Sequence, residues 1–205
     1  MLGRNYNFII NYNDKKIDLE FKMNTLKNLF DMVQYSPFEF IHEFLSNEED
    51  RIVKIAQLLF CMTDGKLDIV DVLKNLLIDE DTINGIYVQL VRIITLELKT
   101  EIDEENESKE ESKELTSEEK IDNFINWWNY MYYTAKINLK MTYEEMLNTT
   151  VRELKSMDAL NKGYLKNILL DAYIQVVKSQ NKTEKEEVKR ITVNNRPKSL
   201  RDIFK

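Results

Sequence analysis

Two side chains in this sequence have the chemistry of a nucleophile or a general base, and each stands alone. His42 is the single histidine and Cys61 the single cysteine. With a single histidine, His-based metal sites and histidine-assisted nucleophiles are nearly excluded. Their settings agree. His42 lies between apolar positions in FIHEF, and Cys61 lies in the apolar run IVKIAQLLFCM, where a small buried residue is expected. A lone cysteine also rules out an intrachain disulfide and fits a reducing compartment.

Carboxylates are plentiful but poorly arranged for catalysis. Glu48-Glu49-Asp50 and Glu144-Glu145 read as the negatively charged first turns of helices. Asp79-Glu80-Asp81 is the best cation candidate, yet it lacks the spacing and the glycine of a calcium loop. There is no G-x-G-x-x-G, no G-x-x-x-x-G-K and no G-x-S-x-G. The expectation is a protein that is not an enzyme, with no cofactor and no metal.

The elements around these residues are mostly helical. Four glycines and two prolines in 205 residues are too few for an all-β sandwich. Tyr6, Phe8, Ile10 and Tyr12 alternate with polar residues, Ile9 excepted. Beyond the Asn13-Asp14 turn, Ile17, Leu19, Phe21 and Met23 alternate in the same way. Period-two alternation on both sides of such a turn predicts a β-hairpin with one wet face. An isolated hairpin is marginal in water, so it must pack on the helices that follow or pair with a neighbouring copy.

Helical spacing then takes over with Leu26, Leu29, Phe30 and Val33. Ser36-Pro37 is a cap with proline at the first helical position. Ser46 with Glu49 reads as a capping box before the helix of Cys61, which Gly65 is placed to end. Leu67–Leu77 predicts a short helix, and Asp81 or Thr82 a cap for the next one.

A charge-dense run follows. Glu101–Asp122 holds eleven acidic residues against three lysines and no aromatic residue. A stretch with so little apolar surface is expected to stay a solvated tether. This gives four predicted segments: a hairpin plus helical domain at 1–100, an acidic flexible linker at 101–119, a small helical bundle at 120–180 and a basic flexible arm at 181–205. The fold class is mainly α, in an α+β arrangement.

In the bundle, Thr116-x-x-Glu119 opens a helix whose core face would hold Ile121, Phe124, Ile125, Trp128, Met131, Tyr132, Ala135 and Leu139. Tyr130, Tyr133 and Ile137 fall on nearly the opposite side, with Trp127 between the two stripes. Another helix of the bundle could cover that second stripe. Alternatively it is a partner surface, because tyrosine and tryptophan give large contact area at little entropic cost. Thr142 and Thr149/Thr150 begin two more helices, the second ending near Leu160, and Tyr164–Ser179 makes another. In the arm, Arg190, Arg196, Lys198, Arg201 and Phe204 are candidate contacts to an acidic partner or to phosphates. The overall charge of −7 and the lack of interleaved aromatic residues argue against nucleic acid. The N-terminus lacks signal-peptide character, and no run approaches the length of a membrane span. The expected location is cytoplasmic.

Two stretches carry a family likeness. One is FKMNTLKNLFDMVQYSPFEFIHEF followed by DRIVKIAQLLFCMTDGKLDIVDVLKNLL. The other is WWNYMYYTAKINLKMTYEEMLNTTVREL, with its Met-Thr-x-x-Glu-x-x-x-x-Thr-x-x-Glu-Leu pattern at Met141-Thr142, Glu145, Thr150 and Glu153-Leu154. Together they resemble the tail assembly chaperones of tailed bacteriophages and related tail-like particles, in the longer form. The resemblance implies a non-enzymatic chaperone that binds the tape-measure protein, keeps it soluble and helps recruit tail-tube subunits. It assigns the client to the first module and the tube subunit to the second module and arm. Self-association stays open. The alternatives are a structural tail or baseplate component, or a small helical nucleic-acid-associated regulator.

Overall fold

The hairpin forms where alternation predicts it, but its second strand stops at Leu19, and Met23, read as part of the alternation, opens a helix. In the computed structural model, β1 (Phe8–Tyr12) pairs antiparallel with β2 (Lys15–Leu19), with Phe8 opposite Leu19 and Ile10 opposite Ile17. Ile10 and Leu19 are buried while Ile9 faces solvent, as a two-residue period requires. The structure describes residues 8–12, 15–47, 50–111 and 115–194, and side chains in the two longest helices only as far as Leu98 and Gln175. Tyr6 and the Asn13-Asp14 turn lie outside these residues.

Eight α-helices follow among the described residues: α1 (Met23–Val33), α2 (Pro37–Ser46), α3 (Arg51–Met62), α4 (Ile69–Asn75), α5 (Glu80–Glu111), α6 (Ser117–Tyr133), α7 (Tyr143–Leu147) and α8 (Val151–Asn194). A π-helical turn, Thr134–Asn138, extends α6. The fold is therefore mainly α with an N-terminal hairpin. Phe21, Met23, Leu26 and Leu29 from the start of the chain meet Phe40, Phe44, Ile55, Leu58 and Leu59 in one buried core.

Local chemistry sets most of the helix ends. Gly65 terminates α3 at φ +76°, where its N–H reaches the Phe60 carbonyl at 2.9 Å. Asp68 caps α4 through the N–H groups of Val70 and Asp71. Three Thr-x-x-Glu sequences all become reciprocal capping arrangements, at Thr116/Glu119, Thr142/Glu145 and Thr150/Glu153. Two of these make up the Met-Thr-x-x-Glu…Thr-x-x-Glu-Leu pattern, which thus encodes two successive helix starts.

Other expected ends differ. Ser46 closes α2, its hydroxyl donating to the His42 carbonyl, and Asp50 holds the N-cap position of α3. Asp79, not Asp81 or Thr82, caps α5 by accepting from the Thr82 N–H at 2.8 Å. That bond holds the Asp79 carboxyl below its ordinary value.

The acidic stretch does not separate two bodies. Contacts divide the chain into one unit ending at Asp158 and a second from Ala159 onward. The backbone of α5 is helical to Glu111, with a kink at Leu98. On its far side, α6 packs against the first helices. Phe124 meets Phe30 at 5.3 Å and Phe38 at 5.6 Å between ring centroids, and Trp127 lies edge-on to Phe38 at 5.0 Å. Lys120 pairs with Glu39. The Met23 N–H donates to the Thr149 carbonyl at 3.0 Å, joining the start of α1 to the turn before α8. Composition identifies a polar segment correctly, but it carries no information about which apolar faces beyond that segment find a partner.

Candidate partner-binding surface

The surface begins with how α6 is held. Phe124, Met131 and Ala135 are buried, and Trp127, Trp128 and Tyr132 are half-buried around them. The outward face then carries Ile125, Tyr130, Tyr133 and, in the π turn, Ile137, exposed by 41, 54, 58 and 44%. Ile125 was expected in the core and faces outward. Trp127, expected at the edge of a partner stripe, is used inside the molecule. Tyr130, Tyr133 and Ile137 stay exposed on one face among the described residues.

The end of the π turn is built by unusual bonds. Leu139 N–H reaches Thr134 C=O at 3.1 Å and Met141 N–H reaches Ala135 C=O at 2.9 Å, with Lys140 at φ 59°. The Thr134 hydroxyl is buried and lacks a hydrogen-bond partner.

The start of α8 is anchored by a buried carboxylate. Glu97 is 8% exposed and accepts from the Arg152 N–H at 3.2 Å. Burial pushes its carboxyl above the ordinary value, opposed by bonds from Arg152 and Thr150. Val151 and Leu154 are buried, and Asp158 accepts from Asn138 Nδ2 at 3.0 Å. These contacts fix the first two turns of α8 to the first unit.

Beyond Asp158 the character of the helix changes. Every side chain from Lys162 to Gln175 is exposed, including Tyr164, Leu165, Ile168, Leu169, Leu170, Tyr173 and Ile174. Sequence reasoning predicts helices ending near Leu160 and restarting at Tyr164, packed into a bundle. The structure has one helix running through Gly163, and Leu165, Ile168, Leu169 and Tyr173 are not covered. A single glycine costs a helix only about 1 kcal/mol, too little to break it. Leu170 and Ile174, on the other side, were missed as surface candidates. A signal for them was present, because ten of the fourteen residues 164–177 are apolar and they point all round the helix. Arg190 lies in the α8 backbone with its side chain outside the described residues, as are Arg196, Lys198, Arg201 and Phe204 altogether.

A hollow of about 530 Å³ is lined by Asn24, Asn28, Asp31, Met32, Phe60, Asp64 and Gly65. Its polar groups satisfy one another, since Asp64 Oδ1 accepts from both Asn24 and Asn28. Among the described residues no group of three or more His, Cys, Asp or Glu could hold a metal ion. Cys61 is buried, which raises its thiol pKa to about 12, far from a reactive thiolate. Among the same residues no helix is long and apolar enough to cross a membrane. The chain matches no protein-family model, no curated protein and no solved structure.

Proposed function

We propose that this chain is a non-enzymatic assembly chaperone for an elongated helical client, the tape-measure protein of a phage-like tail, and that it helps bring tail-tube subunits to that client. The observation that carries this reading is the exposed apolar stretch of α8. Between Leu160 and Ile174, eight large apolar side chains face solvent on a helix whose first turns are anchored in a packed body. Apolar patches of that extent mark sites that another molecule covers. A long helical client offers matching stripes at the same repeat, so a helix of this kind can engage it at many registers.

The open Tyr133/Ile137 face on α6 supports a second contact, and we assign it to the tail-tube subunit. This changes the division implied by the resemblance, which gave the client to residues 1–100. The change follows from packing, because the apolar faces of the first helices are spent in the core around Phe40 and Phe44.

Co-expression with a tape-measure protein tests the reading. The client is expected to become soluble and to co-purify, and Leu165→Glu/Leu169→Glu is expected to abolish both. A folded, well-behaved chain that leaves the client insoluble and unbound would refute it.

A further inference from the structure

Charge divides this molecule at the same place as packing. Residues 159–205 hold eleven basic and five acidic residues, a net charge of +6, while residues 1–158 hold eighteen basic and thirty-one acidic, a net charge of −13. The exposed apolar stretch of α8 belongs to the positive unit. The exposed apolar face of α6 belongs to the negative one, and it continues from two exposed carboxylates, Glu118 and Asp122, into Ile125, Tyr133 and Ile137.

We infer that, without a client, a second copy of this chain covers the stretch, with α8 residues 160–174 of one copy seated on the α6 face of the next. Three observations select this occupant. First, an apolar helix exposed on all sides is unfavourable in water and draws whatever complementary surface is at hand. Second, residues 160–174 carry Lys162 and Lys166 against Asp171, while residues 117–130 carry Glu118, Glu119 and Asp122 against Lys120, so α8 on α6 joins opposite charges and α8 on α8 does not. Third, the order of residues matches. Lys162 and Lys166 stand at the start of the apolar run in α8, as Glu118 and Asp122 stand at the start of the run in α6. A parallel seating that sets Lys162 by Glu118 and Lys166 by Asp122 therefore places Leu165 and Leu169 beside Ile121 and Ile125, and Ile174 beside Tyr130.

Such a contact uses two different surfaces and is heterologous. The pair then keeps one unused α8 and one unused α6 face, so the assembly grows as a ring or an open chain. Salt weakens it by screening the charged part, and added client competes for α8. Neither the surface nor the charges depend on the chaperone reading, and the test uses the purified chain alone.

The test is sedimentation of the full chain and two variants, Leu169→Glu and Ile125→Glu. Both positions are exposed, at 70 and 41%, so each variant should fold, with unchanged helical circular dichroism as the check. The parent is expected to sediment well above 24.5 kDa at about 50 mM salt and to weaken roughly tenfold or more at about 500 mM. Each variant alone is expected at 24.5 kDa. The decisive sample is their equimolar mixture. One intact α8 and one intact α6 then meet, and the mixture is expected to form a dimer that grows no further. A parent that stays monomeric would overturn the inference. So would an assembly that either variant leaves intact, or a mixture that fails to dimerise.

Discussion

The two parts of this molecule use apolar residues in opposite ways. Up to Asp158 the helices cover one another: Phe124 and Trp127 of α6 close over Phe30 and Phe38, and the buried side chains form one cluster. Past Asp158, among the described residues, a helical stretch rich in large apolar residues leaves them exposed. The same residue types, at the same helical spacing, give a core in one place and an open surface in the other. Spacing alone therefore does not tell core from interface. What decides is whether another part of the chain brings up a complementary face.

The largest test of that contrast is a pair of truncations. Phe124→Ala removes a ring packed against Phe30, Phe38, Trp127 and Trp128. It should cost about 3–5 kcal/mol in urea unfolding. Leu169→Ala, with its side chain 70% exposed, should change the stability of the monomer, measured at high salt, by about 0.5 kcal/mol or less. Equal losses at the two positions would mean that the stretch beyond Asp158 is packed within the monomer.

A medium effect is expected at the joint between the two parts. Thr150→Ala removes the hydroxyl that caps the Glu153 N–H at the start of α8. About 1 kcal/mol should be lost, and amide exchange near Val151 should quicken before that in α3.

Glu97 sharpens the same joint through pH. Burial disfavours its charged form, so the folded state holds this proton more tightly than the unfolded chain does. Its contribution to stability is then greatest at low pH and falls as pH rises from about 4.5 through the folded value. Glu97→Gln keeps an acceptor for the Arg152 N–H and removes the buried charge. Its melting temperature should exceed that of the parent at pH 7, and the advantage should shrink as pH approaches 4.5. A constant difference across that range would exclude a titrating Glu97.

The smallest effect is kinetic. The Cys61 thiol, buried and with a pKa raised to about 12, should react with a disulfide reagent at pH 8 only as fast as α3 opens. Reaction at the rate of a free thiol would place Cys61 outside the core.

Much of the local structure was legible in advance. The hairpin followed from alternation, because each face of a strand meets one environment. The three Thr-x-x-Glu starts and the Gly65 stop followed from groups that must be satisfied at helix ends. The stripe of Tyr130, Tyr133 and Ile137 followed from the helical wheel. Trp127 did not, because a residue between two stripes goes to whichever face finds a partner, here Phe38.

The sequence by itself determined the element types, most of the helix ends and the partition of charge, since these depend on neighbours within a few residues or on simple counting. Only the tertiary structure decided that α6 and α7 join the first helices, where the sequence suggests a separate module. It also decided that the apolar run of α8 is left uncovered. Both outcomes rest on pairing between faces far apart in the chain, such as Phe124 with Phe30 and Met23 with Thr149. No local pattern encodes which distant face will be there to meet it.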